Sequence, residues 1–208
     1  MEPVNQKQHW ENIYETKEEK DFSRFQEYPK TSMEFLSLFN LSRKARIIDI
    51  GGGDGHFVDA LIESGYENIY VLDISNTAID RARKRLGERA AKVKWIVSDI
   101  TEFTTGEKFD FWHDRAAFHF LTNEDKIEKY VQIAEQVIKP QGYLIVGTFA
   151  ENGPQKCSGL EIKQYSEASM SNRFEKEFER IKCIEEIHTT PFNTQQNFLF
   201  CSFQKKIN

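Results

Sequence analysis

A chain of 208 residues, 39% hydrophobic and 29% charged, suits one α/β domain with a full core and is short for two. Its formal net charge of -5 lacks the positive field of a general nucleic-acid binder, and no apolar run nears the ~18 residues of a membrane span. Neither nucleic acid nor membrane is therefore expected as a partner.

The start, Met1 to Trp10, is polar and lacks the basic-then-apolar pattern of a secretory leader. Cys157, Cys183 and Cys201 form no Cys-x-x-Cys pair and no zinc-spaced cluster. No metal site is expected, and an odd cysteine count suits the reducing cytoplasm.

Residues 5–15 predict a helix with Trp10, Ile13 and Tyr14 on one side. A charged loop over 15–21 and a helix over 31–39 follow. Strands and helices then alternate. Strands are expected at 46–50, 68–72, 93–97, 109–112 and 143–148, with helices at 56–64, 77–86 and 123–138. Gly65 is a candidate helix C-cap, Ser75 or Asn76 a candidate N-cap, and 140–142 a turn. Arg81, Arg83, Lys84, Arg85 and Arg89 read as a solvated helix face. Short joins between alternating elements imply a parallel sheet covered on both faces. The last two strands, 181–187 and 197–203, have no helix between them and read as an antiparallel hairpin at the sheet edge.

The run Asp49-Ile50-Gly51-Gly52-Gly53-Asp54-Gly55 follows the first strand and opens a helix. Glycines let the backbone turn tightly and leave room for a ligand against the main chain, in the crevice where open α/β sheets bind ligands. The dinucleotide fingerprint wants its third glycine one place later, where this chain has His56. That spacing, and the terminal hairpin, disfavour a nicotinamide enzyme. Asp49 precedes the loop, where a carboxylate would repel pyrophosphate and accept from a ligand ammonium. Asp73 ends the second strand, where nucleotide folds place an acid for ribose hydroxyls. Asp99 ends the third.

With those acids and that loop, the chain resembles the class I S-adenosylmethionine-dependent methyltransferase family over roughly residues 8–204. The resemblance implies a seven-stranded, mostly parallel Rossmann-like sheet with a terminal antiparallel hairpin and helices on both faces. It implies S-adenosyl-L-methionine as cofactor. Gly51, Gly52, Gly53 and Gly55 would then approach the methionine part, with Asp49 near its amino group. Asp73 would bind the ribose hydroxyls and Asp99 the adenine amino group, with Ile74 and Ile100 packed on the ring. The segment around Trp10, Tyr14 and Phe25 resembles the cap placed over the cofactor. One domain is expected over 1–208: a cap segment at 1–30, a cofactor-binding core at 44–150, and a substrate-side loop with closing hairpin at 151–208.

In this class the methyl group leaves beyond the fourth strand, here Phe111-Trp112-His113-Asp114-Arg115-Ala116-Ala117-Phe118-His119-Phe120. Methyl transfer is an in-line displacement that needs a positioned acceptor in a dry site, and a base only if the acceptor must lose a proton. His113 is a candidate base or a hydrogen-bonded support for the loop. Arg115 is a candidate for an anionic substrate group or the cofactor carboxylate, or an ion pair with Asp114. His119 reads as packing.

The Asp114-Arg115 pair resembles thiopurine-type small-molecule methyltransferases, whereas related lysine methyltransferases more often have Asp-Lys-Gly there. The Asn-Pro-Pro-Tyr signature of amino-group nucleic-acid methyltransferases is absent. The expected function is methyl transfer to a small-molecule acceptor bearing a thiol, amine or carboxylate. The alternatives are a protein lysine methyltransferase and a non-catalytic cofactor-binding module.

Overall fold

A computed structural model describes residues 5–207; the first four positions of the expected cap segment lie outside the described residues. The elements run α1 (Gln6–Thr16), α2 (Lys30–Leu38), β1 (Arg46–Ile50), α3 (Phe57–Glu63), β2 (Asn68–Asp73), α4 (Asn76–Leu86), β3 (Val93–Val97) and β4 (Phe109–Arg115). Then come α5 (Glu124–Val137), β5 (Ile138–Phe149), β6 (Lys156–Cys157), β7 (Leu160–Glu161), α6 (Glu167–Phe174), β8 (Phe178–Thr189) and β9 (Gln195–Lys205).

Seven strands form one sheet in the order β3-β2-β1-β4-β5-β9-β8. The first five are parallel, β9 runs against β5, and β8 runs against β9, so β9 alone is reversed. The expected mostly parallel sheet with a closing hairpin is borne out. Side chains alternate across each strand, so each β-rich run feeds two cores. Ile47, Ile69, Phe111 and Ile145 bury against the side of α1, α2, α3 and α4. Ile48, Trp112, Leu144 and Val146 bury against α5 and α6.

Several elements differ from expectation. β4 continues through His113, Asp114 and Arg115, because the first two are buried with hydrogen-bond partners rather than solvated. Helix α6 was not expected. Its Ser/Asn-rich sequence is a weak helix former, held by the Ser166 cap and by fully buried Met170 and Phe174.

The basic face of α4 is only partly solvated. Arg81 donates to the main-chain oxygens of Tyr14 and Lys17 and pairs with Asp54 at 3.1 Å. Arg85 donates to the Asp54 and Gly55 oxygens and pairs with Asp59. These two therefore staple α4 to α1 and to the glycine loop, which corrects the reading of them as solvent-facing.

Cys183 and Cys201 are register partners across β8 and β9 and are joined by a disulfide, leaving buried Cys157 as the free thiol. No described helix is long and apolar enough to cross a membrane.

Candidate active site

The site is built where the parallel strands end. Asp49, Asp73 and Asp99 sit at or just past the carboxyl ends of β1, β2 and β3, and the glycine loop turns between β1 and α3. Gly51 and Gly53 have φ of 62° and 47°, a left-handed conformation that disfavours side chains. A Cβ on Gly51 would lie 2.5 Å from the Ala117 Cβ, and one on Gly53 would lie 2.7 Å from the Tyr14 hydroxyl oxygen.

Two adjoining cavities open here and share Gly51 and Arg24. Trp10, Tyr14, Asp73, Ile74, Asp99 and Ile100 line the first, together with Leu72 and Phe120. Asp49, Gly52, Gly55, His113 and Arg115 line the second, with Phe22, Phe25 and Phe57. The fold thus brings the sequence-derived candidates to one crevice. Gly53 lines neither cavity and instead lets Tyr14 and Asp73 close in beside the loop.

Asp73 is buried, and its Oδ1 accepts the Ser75 N–H at 2.8 Å. Burial pushes its carboxyl up to about 7, opposed by that hydrogen bond and by the Arg24 charge. Asp99 caps the following one-turn helix, accepting from the Thr101 N–H and hydroxyl through Oδ1. Helix α1 roofs the first cavity with Trp10 and Tyr14. Glu11 on its outer side accepts from the Asn76 and Thr77 N–H groups and the Ser75 hydroxyl. Burial alone would raise the Glu11 carboxyl, but those donors at the start of α4 outweigh it and hold it at about 2.

His113 points to the α2–α3 side. Its Nδ1 lies 2.6 Å from Asp49 Oδ1, its Nε2 2.8 Å from the Ser32 hydroxyl, and its ring stacks on Phe57 at 3.9 Å. Both nitrogens are engaged and the residue is 2% exposed. Asp114 points to the other face, where it accepts from Ala117 N–H, Phe118 N–H and the Tyr130 hydroxyl. Asp114 does not pair with Arg115. Ala116 between them and the next helical turn is left-handed, with φ 67°, a strained conformation often held at functional sites.

Arg115 donates through Nη1 to the Arg24 carbonyl, and its guanidinium lies 5.0 Å from the Phe198 ring. Its Nε and Nη2 are buried without a partner. Burial lowers Arg115 to about 10, with Glu186 raising it. His119 is fully buried, lacks a partner at either nitrogen, and is lowered to about 3 by burial, then by Arg24 and Arg115. It stacks on Phe149.

Arg24 is a site residue that sequence reasoning missed. It lies in an irregular stretch with no periodicity, yet it donates to the Tyr14 hydroxyl and sits over Phe22, Trp10 and Tyr14. The same stretch is tied to the closing hairpin: His188 Nε2 lies 2.7 Å from the Ser23 carbonyl, and Gln26 donates to Glu186. Among the described residues, no cluster of three His, Cys, Asp or Glu side chains could hold a metal ion.

A family model described as a methyltransferase domain matches residues 41–199. The chain belongs to that methyltransferase domain family. It is 26% identical over 112 residues to nodulation protein S of Rhizobium tropici, covering 54% of this chain and 46% of that protein. It is 28% identical over 121 residues to EEF1A lysine methyltransferase 2 of Danio rerio, covering 55% of this chain and 52% of the relative. The chain therefore spans about half the length of the curated relatives it matches.

Among solved structures, the N-methyltransferase NodS from Bradyrhizobium japonicum WM9, in complex with S-adenosyl-l-homocysteine, aligns with a TM-score of 0.72. The two are 18% identical, with 97% of this chain and 98% of that one covered. The expectation of the S-adenosylmethionine-dependent methyltransferase class is borne out.

Proposed function

We propose that this methyltransferase transfers a methyl group from S-adenosyl-L-methionine to a small molecule bearing a thiol, amine or carboxylate. The observation that carries this reading is the pairing of the two cavities at the shared Gly51. One has the acids and flat apolar walls that suit an adenosine. The other is enclosed by residues 22–26, the end of β4 and the glycine loop.

The residues present fit the cofactor. The bare main chain at Gly51, Gly52 and Gly55 suits its methionine part, with Asp49 for the ammonium. Asp73 suits the ribose hydroxyls, Asp99 the adenine amino group, and Ile74 and Ile100 the faces of the ring. Trp10 and Tyr14 exclude water from above. When bound, the cofactor supplies an electrophilic methyl on a sulfonium sulfur. The protein's part is to hold, orient and dry the site, which is where most of the rate of such a displacement arises. His113 acts here as a positioning residue: it fixes Asp49 and has no free nitrogen for a proton from the acceptor.

A protein lysine acceptor is the second reading, favoured by the likeness to EEF1A lysine methyltransferase 2. Two guanidiniums beside the acceptor cavity count against it, because they repel a lysine ammonium. The test is incubation of the purified chain with tritiated-methyl cofactor and lysate, followed by separation of products by size. Label in the small-molecule fraction supports the proposal, and label in one protein band overturns it in favour of lysine.

A further inference from the structure

We infer that Arg115 is the oxyanion anchor of the methyl acceptor, so that the acceptor carries a carboxylate or similar anion on an apolar body. This inference rests on the small-molecule reading above and names the group recognised at that site.

Three observations carry it. Arg115 has two buried nitrogens, Nε and Nη2, with no partner among the described residues. A buried guanidinium without an acceptor for its fork is costly, and a planar oxyanion is the ligand that matches two adjacent N–H groups.

Second, the charge near it is not neutralised. Neither Arg115 nor the neighbouring Arg24 makes an ion pair among the described residues; their side chains donate hydrogen bonds to the Arg24 carbonyl and the Tyr14 hydroxyl. Glu186 is the strongest favourable charge on Arg115, but its carboxylate is spent on Gln26 at one oxygen and unpartnered at the other. A cationic sulfonium sits more easily beside two arginines once an anion lies between them.

Third, the geometry points away from the adenosine side of the site. Asp73 and Asp99 stand over β2 and β3 in the other cavity. The Arg115 guanidinium reaches the other way, across β5 to the Phe198 ring on β9. It lines the cavity where Phe22, Phe25 and Phe57, which suit a flat apolar body, meet Asp49 and the glycine loop, so an acceptor held there lies beside the methionine part of the cofactor.

The test uses the full chain loaded with S-adenosylhomocysteine, with calorimetric titration of acetate, benzoate and the neutral isostere benzamide. Benzoate should bind, and benzamide should bind at least about tenfold more weakly. In Arg115→Gln, benzoate affinity should fall about 10- to 100-fold while S-adenosylhomocysteine affinity holds, which also reports that the variant is folded. Arg115→Lys should restore part of the benzoate affinity. Equal binding of benzoate and benzamide, no binding of either carboxylate, or benzoate binding that survives Arg115→Gln overturns the inference. Joint loss of S-adenosylhomocysteine and benzoate in Arg115→Gln also overturns it, assigning Arg115 to the cofactor. If the wild-type chain does not bind S-adenosylhomocysteine, the cofactor reading falls, and the same titration on the unloaded chain still decides the role of Arg115.

Discussion

His113 and Asp49 are register partners on β4 and β1, and their side chains meet at 2.6 Å above the sheet. The contact orients the carboxylate that precedes the glycine loop, while Ser32 on α2 holds the far side of the ring. Removing the ring should leave a buried carboxylate without its donor, a loss of about 1.5–3 kcal/mol. His113→Ala is expected to lower both thermal stability and affinity for S-adenosylhomocysteine, and His113→Asn to recover part of each. Wild-type cofactor affinity with collapsed turnover would instead return His113 to the role of base.

Asp73 is expected to carry the pH dependence of cofactor binding. Ribose hydroxyls donate, so they favour the ionised carboxylate, and burial has pushed its pKa up to about 7. Affinity for S-adenosylhomocysteine should therefore rise as pH increases through about 7 and level off above it. Asp73→Asn should flatten that profile and weaken binding by about tenfold or more, in line with loss of a charge-assisted contact. A flat wild-type profile between pH 6 and 8 would remove Asp73 from the ribose.

Glu11 holds the roof helix to the start of α4. Its folded pKa of about 2 lies below the ordinary 4.5. The stability it contributes is therefore present above pH 4.5 and is lost as pH falls toward 2. Glu11→Gln should lower the melting temperature at pH 7, and the gap to wild type should narrow on acidification through that window. The variant should also release S-adenosylhomocysteine faster, because α1 lines the cavity. A gap that stays constant from pH 7 to 3 would show that the carboxylate charge is not what holds α1.

The disulfide between Cys183 and Cys201 joins residues 18 apart in sequence. Closing a loop of that size constrains the unfolded chain by about 3 kcal/mol. Reduction, or the paired change Cys183→Ser with Cys201→Ser, should lower the melting temperature without changing S-adenosylhomocysteine affinity, since the bridge lies away from the glycine loop. Identical melting with and without reductant would show that the bridge contributes nothing.

The crevice lined by the glycine loop and the strand-end acids was legible in the sequence because its signals are local. Glycine spacing and an acid at each strand end depend on neighbours a few residues away, and strand–helix alternation fixes the parallel order. The acceptor side was not legible in the same way. Arg24 lies in an aperiodic stretch, and only the tertiary path brings it beside Arg115. His113, Asp114 and Arg115 look like a charged loop until their partners Asp49, Tyr130 and the Arg24 carbonyl are known. The pairing of Cys183 with Cys201 required the β8–β9 register, which a turn of that length does not dictate.

The reversal of β9 has a consequence for how such a molecule can change. The rim that β1 to β5 reach with their carboxyl ends is reached by β9 with its amino end, so Phe198 meets the Arg115 guanidinium from a hairpin that lines neither cavity. The wall that backs Arg115 thus comes from a different stretch of chain than the glycine loop and the strand-end acids. Substitution at Phe198 can reshape the surroundings of Arg115 while the glycine loop and the acids at the ends of β1 to β3 are inherited intact.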